Sequence, residues 1–185
     1  MGYDIAQSAA EHGASVVLVS GPSHCKVTHS AIELIPVVSA QEMFDACHLH
    51  YAKVDVAIAA AAVADYKPKT IASQKIKKSD TELSIALEKT QDVLASLGAA
   101  KKNQFLIGFA LETENEIENA KLKIQKKNLD LIVLNSLNDK GAGFGHPTNK
   151  VTFIDRNFTI EPIDLKSKEE VAIDIINKII KHYEA

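Results

Sequence analysis

The spacing of apolar residues changes several times along the chain, and each change marks a switch between helix and strand. "GYDIAQSAAEHGA" carries its apolar residues at helical spacing and stops at Gly13. "SVVLVSG" follows as a short apolar run ended by Gly21 and Pro22, and "AIELIPVV" is a second strand. In "SAQEMFDACHLHYAK", Ser39 and Glu42 form a capping box that satisfies free backbone N–H groups, so a helix is predicted from near residue 40. "VDVAIAAAAV" shows no alternation, the pattern of a strand covered by helices on both faces of a parallel sheet. "FLIGFALE" and "LDLIVLNS" share that character.

Between the last two runs, "TENEIENAKLKIQKKN" has Thr113 and Glu116 at capping-box spacing and puts Ile117, Ala120 and Ile124 on one helical face. "KVTFIDR" and "FTIEPIDL" are separated by about two polar residues, Arg156 and Asn157, as in a hairpin. "SKEEVAIDIINKIIKHYEA" predicts a closing amphipathic helix capped by Ser167 and Glu170. This order selects an α/β fold with a doubly wound, mostly parallel Rossmann-like sheet and an antiparallel hairpin at one edge, formed as a single domain over residues 1–185. Such folds begin with a strand whose Gly-rich turn cradles phosphate, whereas this chain opens inside a helix. The natural chain is therefore expected to extend before Met1.

Composition narrows the function classes. The chain has 46% hydrophobic and 24% charged residues, the balance of a folded protein, and its net charge of -3 gives no general affinity for nucleic acid or anionic membranes. Any basic site must be local. No run approaches the roughly 18 apolar residues of a membrane span, and no leader pattern opens the chain, so a cytoplasmic location is expected. Cys25 and Cys47 are read as reduced thiols.

In open parallel sheets, ligands collect beyond the carboxyl ends of the strands. After "AIAAAAV" come Ala64, Asp65 and Tyr66, and the small side chains of Ala61 and Ala62 leave room for a ligand near the backbone. The plainer account has the alanines packing beneath a helix and Asp65 capping a turn. "KPKTIASQKIKK" is too polar for a core, so it is expected to project as a flap over approximately residues 65–80, whose lysines meet phosphates as mobile point charges or simply face solvent. Phe109, just beyond Gly108, suits either stacking on a base or packing in the core. Lys123 and Lys127 are four residues apart and share a helical face suited to a polyanion, a spacing that also arises by chance. His24, Cys25 and His29, and Cys47, His48 and His50, lack finger spacing, so no metal site is expected. No G-x-G-x-x-G, Walker A or G-x-S-x-G sequence supports a dehydrogenase, P-loop or hydrolase reading.

Taken in order, "LVSGP", "SAQEM", "AAAVADYKPK", "KIKK", "LEKTQDVLASLG", "IGFALETEN", "AKLKIQKKNLDLIVLNS" and "GFGHPTNKVTFI" resemble the phosphopantothenoylcysteine synthetases, the phosphopantothenate–cysteine ligases of coenzyme A synthesis. The likeness spans essentially the entire chain. It implies a ligase that joins 4'-phosphopantothenate to L-cysteine: the carboxylate attacks the α-phosphate of CTP, pyrophosphate leaves, and the cysteine amine displaces CMP from the acyl-cytidylate. By the same resemblance, Ala61 and Ala62 border the acyl phosphate and pantothenate arm, Asp65 holds the nucleotide, and Lys75 is the catalytic flap lysine that also contacts it. Gln91, Asp92, Val93 and Leu94 correspond to the family's nucleotide-contacting P-D-I-hydrophobic turn, with Gln91 in place of the usual proline. Phe109 matches the phenylalanine beside the base, and Lys123 and Lys127 match the lysines that approach the nucleotide. Leu111 stands where the family more often has alanine.

The resemblance further implies Mg2+ with the triphosphate, a homodimer whose flap reaches the other subunit's site, and FMN only where an upstream decarboxylase domain is present. The family's S-N-x-S-S-G-K stretch, which supplies an asparagine for the intermediate, does not occur in this sequence. A polypeptide that begins at Met1 is expected to show little or no ligase activity. The alternatives are a catalytically incomplete nucleotide-binding and dimerisation fragment, and, more weakly, a nicotinamide-binding oxidoreductase. Nucleotide choice, CTP against ATP, is not legible because Phe109 suits either base.

Overall fold

The computed structural model describes residues 1–77, 83–136 and 146–184. Residues 78–80 of the expected flap and 143–145 of "GFGHPTNKVTFI" lie outside them. Helix α1 (Gly2–Glu11) ends ahead of Gly13, whose φ of +88° is open to glycine at little cost. β1 (Val16–Ser20) and β2 (Ile32–Pro36) pair in parallel. α2 (Ala40–Tyr51) carries the predicted capping box, with Ser39 Oγ accepting from Glu42 N and the Glu42 carboxylate accepting from Ser39 N. Then come β3 (Val56–Ala59), the short antiparallel pair β4 (Tyr66–Pro68) and β5 (Leu87–Lys89), and α3 (Val93–Ala100). β6 (Phe105–Glu112), α4 (Glu116–Lys126) and β7 (Leu131–Ser136) form a strand–helix–strand unit. β8 (Thr148–Asp155), β9 (Ile160–Ser167) and α5 (Lys168–Glu184) close the chain.

The central sheet has the order β3-β6-β7-β8-β9, parallel through β7 and antiparallel at its β8–β9 edge. The predicted α/β class is therefore the observed one. Pleating sends Phe105, Ile107, Leu131, Val133, Val151 and Phe153 to one face, against α1 and α5. Leu106, Ala110, Ile132, Leu134 and Ile154 go to the other, against α2, α3 and α4. Helices on both faces explain why "FLIGFALE" and "LDLIVLNS" carry no alternation.

Three local expectations change. β3 stops at Ala59, because the chain leaves the sheet there instead of continuing to residue 63. The β8–β9 connection is four residues, 156–159, since Asp155 Oδ1 accepts from the N–H groups of Asn157 and Thr159 at 2.8 and 2.9 Å and builds a wider turn. The box predicted at Thr113 and Glu116 does not form. Asn115 is the N-cap in left-handed geometry without a side-chain cap bond, so Glu116 is the first helical residue and cannot reach back as a third-position glutamate would. Its carboxylate instead accepts from Ser136 Oγ at 2.5 Å.

At the amino ends of β6 and β7, Asp130 joins several elements. Its Oδ2 accepts from Lys101 Nζ at 2.5 Å and from Leu106 N at 2.8 Å, and Arg156 Nη1 stands 3.5 Å from Oδ1. The Lys101 and Asp130 side chains are each only 8% exposed. Removing the carboxylate leaves the Leu106 N–H unpaired and the buried Lys101 ammonium with the Asn128 carbonyl but no counter-charge, so Asp130→Ala is expected to cost about 3–5 kcal/mol. Urea unfolding checks this, and a loss under about 1 kcal/mol contradicts the junction role.

Candidate functional site

The carboxyl ends of the strands are where the chain opens. Ala59 pairs with Gly108, after which β3 leaves the sheet while β6 runs on to Glu112 beside β7 alone. The result is a notch along Phe109–Glu112, bordered by the segment 60–64. Ala61 and Ala62 are exposed in that segment, and Asp65 is exposed after it. Thr90 ties this segment to the start of α3: its N–H donates to Asp65 O at 2.9 Å and its hydroxyl to Ala64 O at 2.5 Å. The importance of Thr90 was not visible in the sequence, because its partners Ala64 and Asp65 lie far upstream across the β4–β5 arm.

Asp92 is the N-cap of α3, accepting from Ala95 N at 2.9 Å. Gln91, exposed beside it, meets Gln41 Nε2 at 3.5 Å. Val93 is buried and Leu94 half-buried in the core, so their side chains face inward and only their backbone is available to a ligand. Two close approaches hold α3 here. A Cβ on Gly108 would come within 2.8 Å of Leu94 Cδ2, and one on Gly98 within 1.9 Å of Lys127 O, so α3 presses directly onto β6 and the end of α4. That places Asp92 within reach of Lys127.

The two lysines predicted to share a helix face do so, and each meets a carboxylate. Lys127 Nζ is 2.8 Å from Asp92 Oδ2, and Lys123 Nζ is 2.5 Å from Glu112 Oε1. Asn119, one turn before Lys123 on the same stripe, donates from Nδ2 to Glu112 Oε2 at 3.2 Å. Glu112 thus closes β6. Burial raises the pKa of Asp92, but hydrogen bonds from Lys127 and Ala95 and the charges of Lys127 and Lys126 outweigh it and hold the group below its ordinary value.

Phe109 is half-buried against the α1/α5 core face, opposite the face on which α4 packs. A nucleotide touching Phe109 and the lysines must therefore cross the strand ends. Lys75 is exposed and makes no hydrogen bond or ion pair among the described residues. The arm that carries it contains Ile71 and Ile76, 88% and 59% exposed. Leu111, in the fifth pair of the β6–β7 ladder, stands at the notch opposite Asn135.

The histidine and cysteine clusters contain none of the residues that the resemblance assigns. Cys25 is exposed, while Cys47 is half-buried with its thiol pushed up by burial, and both are free thiols. His48 stacks on Phe44 at 4.4 Å and meets Ser96 Oγ at 2.9 Å. Among the described residues no group of three or more His, Cys, Asp or Glu is placed to hold a metal ion. A cavity of about 310 Å³ between α1, the β1–β2 connection and α5 contains none of the residues assigned by the resemblance.

Residues 1–183 match the family described as the DNA/pantothenate metabolism flavoprotein C-terminal domain. The chain belongs to this family. It is 51% identical over 181 residues to a cysteine/cysteine sulfinic acid decarboxylase from an unknown prokaryotic organism, covering 97% of this chain and 50% of that protein. It is 41% identical over 179 residues to the coenzyme A biosynthesis bifunctional protein CoaBC of Bacillus subtilis (strain 168), covering 97% of this chain and 44% of that protein. The chain thus spans about half the length of these curated relatives. The crystal structure of the C-terminal domain of a CoaBC protein aligns with a TM-score of 0.82 at 38% identity, over 98% of this chain and 81% of that one. No described helix is long and apolar enough to cross a membrane.

The Asp92 contacts generate a pH prediction. Its folded pKa lies below the ordinary 3.8, so its contribution to stability is present above that value and is lost as pH falls through the lower folded value. Lys127→Met is expected to move the Asp92 titration upward in carboxyl NMR. An unchanged midpoint contradicts the pairing.

Proposed function

We propose that this chain is a ligase domain that joins 4'-phosphopantothenate and L-cysteine through an acyl-cytidylate, using CTP. The observation that carries this reading is the match along 98% of the chain to the C-terminal domain of a CoaBC protein. It is supported by the notch beyond β6, bordered by Ala61, Ala62 and Asp65, with Asp92, Lys123 and Lys127 on one side. In this reading the exposed alanines leave space for the pantothenate arm, and the start of α3 and the α4 lysines receive the triphosphate.

Lys75 then acts when the arm closes. Both half-reactions gather negative charge, first around phosphorus and then at the tetrahedral carbon, and an ammonium in an enclosed site stabilises both. Closure also keeps water from the acyl-cytidylate. Glu112 and Asp92 are already held by lysines, so Mg2+ is assigned to the triphosphate oxygens and travels with CTP as its complex. The exposed Ile71, Ile76, Leu83 and Ile85 of the arm support a homodimer in which the arm lies against the second subunit.

A second reading is favoured by the relative at 51% identity, whose name is that of a decarboxylase. Because this chain spans 50% of that protein, the named activity can belong to its other half. Cysteine-dependent CMP release with 4'-phosphopantothenate, measured beside CO2 release from cysteine, separates the two readings. In a full-length protein that carries this domain together with the family's S-N-x-S-S-G-K stretch, ligation is expected to release CMP only when both 4'-phosphopantothenate and cysteine are present. Lys75→Gln is expected to lower that turnover by about 100-fold or more, and normal turnover in the variant removes Lys75 from the mechanism.

A further inference from the structure

We propose that Glu112 is a positioning residue for the nucleotide: with Asn119, it holds the Lys123 ammonium at the notch before the triphosphate arrives. This inference rests on the ligase reading, which assigns Lys123 to the nucleotide.

The geometry distinguishes Glu112 from an ordinary surface partner. It is the last residue of β6, its side chain is 14% exposed, and both of its oxygens are engaged: Oε1 by Lys123 Nζ at 2.5 Å, Oε2 by Asn119 Nδ2 at 3.2 Å. Asn119 Nδ2 also donates to Glu114 O at 2.9 Å, which anchors the amide to the chain entering α4. Lys123 is 41% exposed, so its ammonium meets solvent while its position is set from beneath.

A free lysine places its charge anywhere within reach of a flexible four-carbon stem, and a ligand must order that stem on binding. A lysine held by a carboxylate fixed to a strand end has already been ordered, at the cost of part of its attraction for an anion. Glu112 is short of rotational freedom on two counts: its backbone is in the β6–β7 ladder, where it pairs with Ser136, and its carboxylate is doubly hydrogen-bonded. Ordering therefore outweighs the lost attraction. The second lysine of the stripe works differently, because its partner Asp92 is 49% exposed and already serves as a helix cap.

The test is a double-mutant cycle on the full chain, with Mg2+–CTP and inorganic triphosphate titrated by calorimetry. Glu112→Gln is expected to weaken both ligands about tenfold, and Lys123→Met to weaken both; Glu112→Gln added to Lys123→Met is expected to cause no further loss. Glu112→Asp, which keeps the charge on a shorter arm, is expected to fall between. Melting temperatures within about 2 °C of one another identify the loss as positional, because a merely structural role lowers stability and weakens binding in both backgrounds. Additive losses overturn the proposal. Tighter binding by Glu112→Gln also overturns it and makes Glu112 a competitor for Lys123. If the unsubstituted chain binds neither ligand, the ligase reading fails and takes this inference with it, an outcome distinct from intact binding with an additive cycle.

Discussion

Asp130 stands where β6, β7 and the β8–β9 turn meet, and the registers of the sheet are set from its carboxylate. By accepting from Leu106 N it fixes the start of β6, and by holding Lys101 it fixes the connection out of α3. A strand displaced by one residue sends every side chain to the opposite face. In β6 that would move Leu106 and Ala110 out of the α3/α4 face, put Gly108 out of line with Leu94, and turn Glu112 away from α4. A buried ionic junction contributes less to net stability than its partners' burial suggests, since desolvation offsets most of the attraction. Its contribution here is to exclude alternative registers, and the notch at the far end of the same strands inherits that choice.

Close packing carries the consequence from the core to the site. Gly98 lets the backbone of α3 touch the end of α4, and Gly108 lets Leu94 rest on β6. These contacts bring the cap of one helix within ion-pair distance of a lysine on another. The site edge is therefore close to neutral at rest, two ammonium groups balanced by two carboxylates. What distinguishes this edge is the placement of charge more than the amount of it.

Long uninterrupted apolar runs were the most legible part of the sequence. "FLIGFALE" coincides with β6 because both faces of that strand are covered, so the run ends where burial ends. The Ser39 and Ser167 boxes were legible because capping is local chemistry, complete within four residues. The Thr113 pattern has the same spacing and fails because β6 continues to Glu112, and the helix begins two residues later than the motif requires. Alanines 59 to 62 look alike in sequence, yet only the first pairs in the sheet, since a run without side-chain contrast does not record where pairing stops. The pairing of Lys123 and Lys127 with carboxylates, and the side of the sheet taken by Phe109, depend on how helices seat on the strands. Residue spacing within one element contains no information about that seating.

The β4–β5 arm combines exposed Tyr66, Ile71, Ile76, Leu83, Ile85 and Leu87 with Lys67, Lys69, Lys75, Lys77 and Lys89. A short two-stranded ladder with so much apolar surface is a template on which other extended chains can add. Pro68 removes one donor from the β4 edge, and the lysines place repelling charge along the rest. The basic character of the described part of the arm therefore opposes strand addition on its exposed apolar residues, a consequence of its charge that holds whether or not Lys75 has any other role.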